Sequence, residues 1–257
     1  MTEAELTFEV TGAVGRITFN RPQAHNAMTW GMYEALGRAC DTMAADPAIR
    51  CAVLRGTGGK AFVAGTDITQ FTRFSGAEDG LGYEAAMEPI LARLEALPVP
   101  TIAVIEGWAV GGGLALASLC DIRIATPDAR FGLPIARTLG NCLSLRNVAR
   151  LAGVLGPSRF KRLVMLAEML TADELAQSGY LAAVVEREAL DAKVEEVIAE
   201  LCAHAPLTMR ATKQAMVRLN DLTPPDDDLV SLCYGSADFK EGVRAYLEKR
   251  PPEWRGA

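Results

Sequence analysis

The sequence is poor in the residues that build most metal sites and nucleic-acid interfaces. It has only two histidines, and its six cysteines are scattered with no CxxC pair, so no zinc site is expected. Lysine and arginine number 26 against 32 acidic residues, and no basic cluster predicts nucleic-acid binding. No apolar run reaches the ~18 residues that a membrane span requires. We therefore expect neither a metal, nor a nucleic-acid partner, nor a membrane association.

The 257 residues are half hydrophobic and 23% charged, which is typical of one large globular domain with or without a small appendage. The first residues, Met-Thr-Glu-Ala-Glu, lack the pattern of a signal peptide. We therefore expect a cytoplasmic protein with free thiols.

Hydrophobic periodicity predicts strands and helices in alternation, followed by helices alone. The predicted strands are Leu6–Val10, Val14–Asn20, Cys51–Arg55, Thr101–Ile105 and Ile122–Ala125. The predicted helices are one that Thr29 caps, then Tyr83–Leu97, about Pro157–Leu166, Thr171–Gln177, Leu190–Ala203 and Pro206–Leu219. Residues 69–82 are polar and contain glycine, which predicts a mobile loop. The pattern indicates an α/β core followed by a helical tail.

Three glycines, Gly111, Gly112 and Gly113, follow a strand and precede an apolar helix. Glycine lets another group approach bare backbone N–H groups, and a helix N-terminus adds positive potential. Such a junction is suited to an anion, or to an oxygen that becomes anionic during a reaction. A second glycine loop lies at residues 60–68, also after a short strand. Either loop alone is equally consistent with a structural turn.

Together the two loops carry a family resemblance. AFVAGTDI at residues 61–68 resembles the AFxAGxDI signature of the enoyl-CoA hydratase/isomerase (crotonase) family. GWAVGGGLALASLCD at residues 107–121 resembles the GxAxGGGxxLAxxCD signature of the same family. Further matches are NRP at 20–22, FGLP at 131–134 and EG…AYLEKRP at 241–251, so the resemblance covers nearly the whole chain.

The resemblance implies a fold and an assembly. Residues 1–189 would form a spiral core of stacked ββα units with the acyl-CoA site. Residues 190–257 would form a helical trimerisation region, giving a homotrimer or a hexamer built as a dimer of trimers. The ligand would be an acyl-CoA thioester, with coenzyme A entering as part of the substrate and no tightly bound cofactor.

The resemblance also implies site residues. The backbone N–H groups of Ala64 and Gly112 would form the oxyanion hole for a thioester enolate, as two convergent donors should. The coenzyme A pocket would be bordered by Ala24, His25, Thr66, Asp67 and Ile68. Trp108 either walls the acyl pocket or packs in the core, and Thr138 belongs to a loop expected to face the acyl chamber.

The sequence departs from the family where hydratases carry two glutamates. Ala115 and Ile135 occupy those positions, and neither side chain can transfer a proton. His25, Glu84, Glu88, Glu106 and Cys142 remain alternative sources of an acid or base, and the sequence does not choose among them.

Two functions remain open, with a third less favoured. The first is an enzyme that stabilises a thioester enolate, for example by decarboxylating a malonyl-type thioester, with very weak crotonyl-CoA hydration. The second is a non-catalytic acyl-CoA-binding subunit that kept the pocket and lost the chemistry. A structural protein without a ligand is disfavoured because both donor loops are intact.

Overall fold

The computed structural model describes residues 4–220 and 227–254. The strands are β1 (Leu6–Thr11), β2 (Val14–Phe19), β3 (Cys51–Gly56), β4 (Ala61–Val63), β5 (Thr101–Ile105), β6 (Trp108–Val110), β7 (Ile122–Ala125), β8 (Arg130–Gly132), β9 (Met169–Thr171) and β10 (Ala183–Val184). The helices are α1 (Trp30–Ala45), α2 (Ala77–Glu95), α3 (Gly112–Leu119), α4 (Ile135–Thr138), α5 (Leu145–Leu155), α6 (Pro157–Met165), α7 (Ala172–Gln177), α8 (Arg187–Ala203), α9 (Pro206–Asn220), α10 (Asp227–Tyr234) and α11 (Ala237–Leu247).

Successive strands alternate between two sheets. One sheet has the order β1-β2-β3-β5-β7-β10 and the other β4-β6-β8-β9. The pairs β3/β4, β5/β6 and β7/β8 each place one strand in each sheet, and β3, β5 and β7 run parallel, as do β4, β6 and β8. This repetition is the predicted spiral of ββα units. It brings the carboxyl ends of β4 and β6 together at one edge.

Local sequence explains the first elements. The tight connection between β1 and β2 uses Gly12 at φ 60°, a left-handed conformation that favours glycine. Thr29 caps α1, since its hydroxyl accepts a hydrogen bond from the Met32 N–H at 3.3 Å. Both the hairpin and this cap confirm the predictions.

The prediction of a mobile loop at residues 69–82 is wrong. Ile68–Arg73 forms a 3₁₀ turn and α2 begins at Ala77. The Asp79 carboxylate accepts hydrogen bonds from the N–H groups of Ser75 (2.6 Å) and Gly76 (3.2 Å), which caps the helix. Gly80 lies against the Tyr234 ring, where a Cβ would be 2.2 Å from the nearest ring atom. Glycine here permits close packing rather than breaking the helix.

From Arg187 onward, every element in the described part of the chain is helical, as predicted. Helix α8 packs against β3 and β7, α10 packs on α2, and α11 packs on α4 and the 3₁₀ turn. The division at residue 189 stays a prediction, as does trimerisation.

Candidate active site

The two glycine loops lie side by side because β4 and β6 are parallel neighbours. Gly65 and Gly111 have φ values of 109° and 55°, which other residues rarely adopt. A Cβ on Gly111 would be 3.6 Å from the Cα of Gly65, and a Cβ on Gly112 would be 3.7 Å from the backbone nitrogen of Thr66. The predicted meeting of the two loops is thus present.

At this junction the backbone N–H groups of Gly112 and Thr66 have no acceptor among the described residues. Gly112 is the first residue of α3, so its N–H has no partner in a preceding helical turn. On either side of Thr66, the Gly65 carbonyl accepts from the Met28 N–H and the Asp67 N–H donates to the Met28 carbonyl, which leaves the Thr66 N–H unused. Two such unused N–H groups are suited to an oxyanion.

The structure corrects the prediction for Ala64. Its N–H donates to the carbonyl oxygen of His25 at 3.1 Å and is therefore occupied. That bond fixes the loop after β4 to the segment before α1. Thr66, two residues further along this loop, has an unused N–H, whereas the sequence analysis had placed this residue only in the coenzyme A border.

A row of three hydroxyl groups lies beside the N–H pair. The Tyr33 hydroxyl is 2.9 Å from Thr66 Oγ1, which is 3.3 Å from the Tyr83 hydroxyl. Burial raises the pKa of Tyr33 to about 12 and the pKa of Tyr83 well above its usual value. Both phenols therefore keep their protons at neutral pH and can donate hydrogen bonds.

A cavity of about 200 Å³ opens next to these groups. Its described lining contains no lysine or arginine, and it is largely apolar. The lining comprises Tyr33, Ala64, Gly65, Thr66, Ile68, Phe71, Tyr83, Glu84, Met87, Leu91, Val110, Gly111, Gly112, Ala115, Leu133, Pro134, Ile135, Thr138, Leu139, Asn141, Leu143, Asn147 and Tyr246. This chamber has the apolar walls and few polar groups typical of a small-molecule site.

Ala115 and Ile135, the two positions at which the family resemblance led us to expect glutamate in a hydratase, both line the cavity with apolar side chains. Glu84 is the one carboxylate among the described lining residues. Its Oε1 accepts a hydrogen bond from the Tyr234 hydroxyl at 3.3 Å, and that hydroxyl accepts one from Asn141 Nδ2.

Four predicted site residues lie outside the cavity lining. Trp108 is 44% exposed at the start of β6, and His25 is exposed, with Ala24 beside it in a 3₁₀ turn. Asp67 forms an ion pair with Arg21 at 2.7 Å and accepts a hydrogen bond from the Thr69 N–H. The other predicted residues, Thr66, Ile68, Gly112, Ala115, Ile135 and Thr138, line the cavity together with Ala64.

Sequence reasoning missed Tyr33 and Tyr83. Tyr33 lies one turn inside the predicted helix α1, on its buried face with Met32 and Leu36. A hydroxyl on such a face needs a partner, and this was the available signal. Its partner Thr66 comes from a different element, which only the fold reveals.

The described residues offer neither a metal cluster nor a membrane-spanning helix. Within residues 4–220 and 227–254, no group of three histidine, cysteine or acidic side chains is placed to hold a metal ion. None of the helices in that same part of the chain is both long and apolar enough to cross a membrane.

Known proteins resemble this chain in sequence along its whole length. Residues 9–257 match the family model of enoyl-CoA hydratase/isomerase. The chain is 31% identical to the short-chain-enoyl-CoA hydratase of Clostridium acetobutylicum, covering 95% of each protein. It is 34% identical to the (E)-benzylidenesuccinyl-CoA hydratase of Thauera aromatica, covering 98% of this chain and 99% of that protein.

The fold is shared with a solved decarboxylase. Methylmalonyl-CoA decarboxylase in complex with 2-nitronate-propionyl-CoA matches with a TM-score of 0.89 and 27% identity, covering all of both chains. Sequence and fold therefore agree along nearly the entire length, and the chain belongs to the enoyl-CoA hydratase/isomerase family.

Proposed function

We propose that this acyl-CoA-processing enzyme works through a thioester enolate, and that its reaction is the decarboxylation of a malonyl-type thioester. The observation that carries the proposal is the combination of a free N–H pair with a cavity in which Ala115 and Ile135 replace acids. The site can hold an enolate but lacks the usual groups for adding water.

The N–H pair would act on the thioester carbonyl. Its oxygen accepts hydrogen bonds from Thr66 and Gly112. As the bond to the carboxylate breaks, the electron pair moves onto the α-carbon and the carbonyl oxygen. The same donors, with the positive end of α3 behind them, then face a full negative charge. No base is required, because CO₂ rather than a proton leaves the α-carbon.

The chamber also favours loss of CO₂. A carboxylate in an apolar site without a positive partner is poorly solvated, and it becomes a neutral molecule when it leaves. Leu91, Leu133 and Ile135 supply such walls, and the described lining has no cation. Similarity to methylmalonyl-CoA decarboxylase supports the same chemistry.

The test is a direct comparison of substrates. Malonyl-CoA, methylmalonyl-CoA and crotonyl-CoA are incubated with the protein, and products are measured by mass spectrometry together with released CO₂. We expect CO₂ from at least one carboxylated thioester and only trace hydration of crotonyl-CoA. Hydration at a rate comparable with ordinary hydratases would contradict the proposal.

The non-catalytic alternative predicts a different result. A binding subunit would bind acyl-CoA thioesters in calorimetry and convert none of them. A protein without a ligand would show no binding heat at all. These results separate the three functions without a known physiological substrate.

We further propose a homotrimer or a dimer of trimers acting in the cytoplasm. Ala24, His25 and Asp67, outside the chamber, would border the coenzyme A portion of the substrate, while Ile68 and Thr138 would contact the acyl end. Coenzyme A would arrive and leave with the acyl group, so no tightly bound cofactor is needed.

A further inference from the structure

The row of hydroxyls can present a hydrogen to the cavity. Tyr33, Thr66 and Tyr83 carry three O–H hydrogens; two hydrogen bonds join them through Thr66 Oγ1, and the two phenols also interact directly. Because hydroxyl hydrogens rotate, the Tyr33 hydrogen can turn from these partners toward a bound ligand. All three residues line the cavity in which that ligand would lie.

The Tyr33 hydroxyl is close to the place where an enolate would form. A Cβ on Gly112 would lie 2.8 Å from this hydroxyl and 3.3 Å from Thr66 Oγ1. An oxygen bound by the N–H groups of Gly112 and Thr66 therefore has the phenol as a neighbour, and the α-carbon is one bond beyond the carbonyl carbon. A general acid must come within such reach.

After CO₂ has left, an enolate still needs a proton, and the apolar side chains of Ala115 and Ile135 cannot give one. We propose, on the basis of the proposed function, that Tyr33 is the acid that protonates the α-carbon. Thr66 and Tyr83 then pass a proton back to the Tyr33 phenolate. The proposal assigns a catalytic role to a side chain on α1, outside both signature loops.

The proton-transfer step balances with water as the only additional reagent. The enolate electron pair forms a C–H bond with the hydroxyl hydrogen of Tyr33, whose O–H bond breaks to leave a phenolate. That phenolate takes the Thr66 proton, Thr66 takes the Tyr83 proton, and partly exposed Tyr83 takes one from solvent water, which leaves hydroxide. A phenol is a stronger acid than the α-C–H of a thioester, so the first transfer is favourable.

Burial keeps the donor ready. Because the pKa of Tyr33 is raised to about 12, the side chain is protonated throughout the physiological range. The phenolate formed in the reaction is poorly solvated for the same reason, and it regains its proton readily.

The first experiment follows stereochemistry in D₂O. Methylmalonyl-CoA yields propionyl-CoA with deuterium at C2, and the configuration there reports whether the deuteron came from one face. We expect one enantiomer in excess from the wild type and a racemic product from whatever turnover Tyr33→Phe retains. Tyr180→Phe is the matched control, since that buried hydroxyl bonds Ser118 away from the cavity and its loss should preserve the excess.

A second variant tests the relay. Thr66→Val removes the hydroxyl but keeps the backbone N–H, so we expect steady-state turnover to fall at least about tenfold relative to the first turnover of the same variant. Equal first-turnover and steady-state rates in this variant would remove Thr66 from the proton path.

The last experiment is independent of CO₂. Exchange of the α-hydrogens of propionyl-CoA with D₂O, followed by NMR, should be at least about tenfold slower in Tyr33→Phe. Tyr33-dependent exchange without CO₂ release would support Tyr33 and reject decarboxylation. CO₂ release with Tyr33→Phe equal to the wild type in both stereochemistry and exchange would reject Tyr33 alone. A wild type with neither activity overturns both proposals.

Discussion

The backbone N–H of Gly112 can be removed without removing the helix it begins. Proline is well tolerated at the first position of a helix, where its missing N–H breaks no helical bond. We expect Gly112→Pro to lower the rate of the chemical step by about 10²–10³-fold. Gly112→Ala is the matched control, because it adds the same Cβ beside Tyr33 but keeps the N–H. Single-turnover rates that are equal in the two variants would contradict the role of this donor.

The apolar residues Ala115 and Ile135, where the family resemblance predicts glutamates in a hydratase, make a gain of function testable. Ala115 and Ile135 line the cavity, so the double variant Ala115→Glu, Ile135→Glu would place two carboxyl groups there. General acid and base groups contribute about 10²–10⁴-fold, and we expect crotonyl-CoA hydration to rise by at least the lower figure. The corresponding double glutamine variant has the same size without the proton chemistry. A folded glutamate variant with no gain would show that other residues prevent hydration.

The sequence could identify the unused N–H of Gly112 but not which N–H of the loop after β4 is occupied, for a definite reason. Gly112 begins a helix, so its N–H is free by the geometry of helix ends. In the loop after β4, which N–H is free depends on the tertiary partners, and the His25 carbonyl takes that of Ala64. Tyr33 was missed for the same reason, because its hydroxyl acquires meaning only from Thr66 on another element.

At the scale of elements, the side chain of Asn26 holds the loop before α1 to the connection between β3 and β4. Asn26 is fully buried, and its backbone has the left-handed φ of 58°. Its Nδ2 donates to the carbonyls of Thr57 (3.0 Å) and Ala61 (2.8 Å), and its Oδ1 accepts a hydrogen bond from the Arg21 N–H. Alanine would leave these buried groups without partners and fits the left-handed conformation less well.

We therefore expect Asn26→Ala to lower the free energy of unfolding by about 2–4 kcal/mol. Urea denaturation measures this loss, with the exposed Gln23→Ala as a control that should change stability by less than about 0.5 kcal/mol. A loss below about 1 kcal/mol for Asn26→Ala would mean that water replaces these bonds.

Element type was predictable where periodicity or a cap was strong, as in α1 and the hairpin. The second sheet escaped prediction because β4, β6, β8 and β9 have three residues each, too few for a period-2 pattern to register. The start of α2 escaped because its glycines were interpreted as loop residues, whereas Gly80 serves the contact with Tyr234.

At the scale of the whole molecule, the C-terminal helices return to the site that the spiral builds. Tyr246 of α11 lines the cavity, and Tyr234 of α10 bonds Glu84 of α2. The aromatic rings of Phe71, Tyr83, Tyr234 and Phe239 connect these helices to the chamber wall. The helical tail therefore contributes to the wall of the cavity.

The same tail exposes apolar side chains that a monomer would leave in water. Met216 and Leu219 of α9 are 57% and 67% exposed and lie one helical turn apart, while Lys213 of the same helix is buried in an ion pair with Asp121. Such side chains on an outward helix face are suited to contact between subunits.

We expect the wild type to elute as a trimer or hexamer in size exclusion with light scattering, and the double variant Met216→Asp, Leu219→Asp to elute as a monomer. Val10→Asp, an equally apolar exposed position on β1, should leave the mass unchanged. A monomeric wild type, or a double variant that keeps the full mass, would exclude this face as the subunit interface.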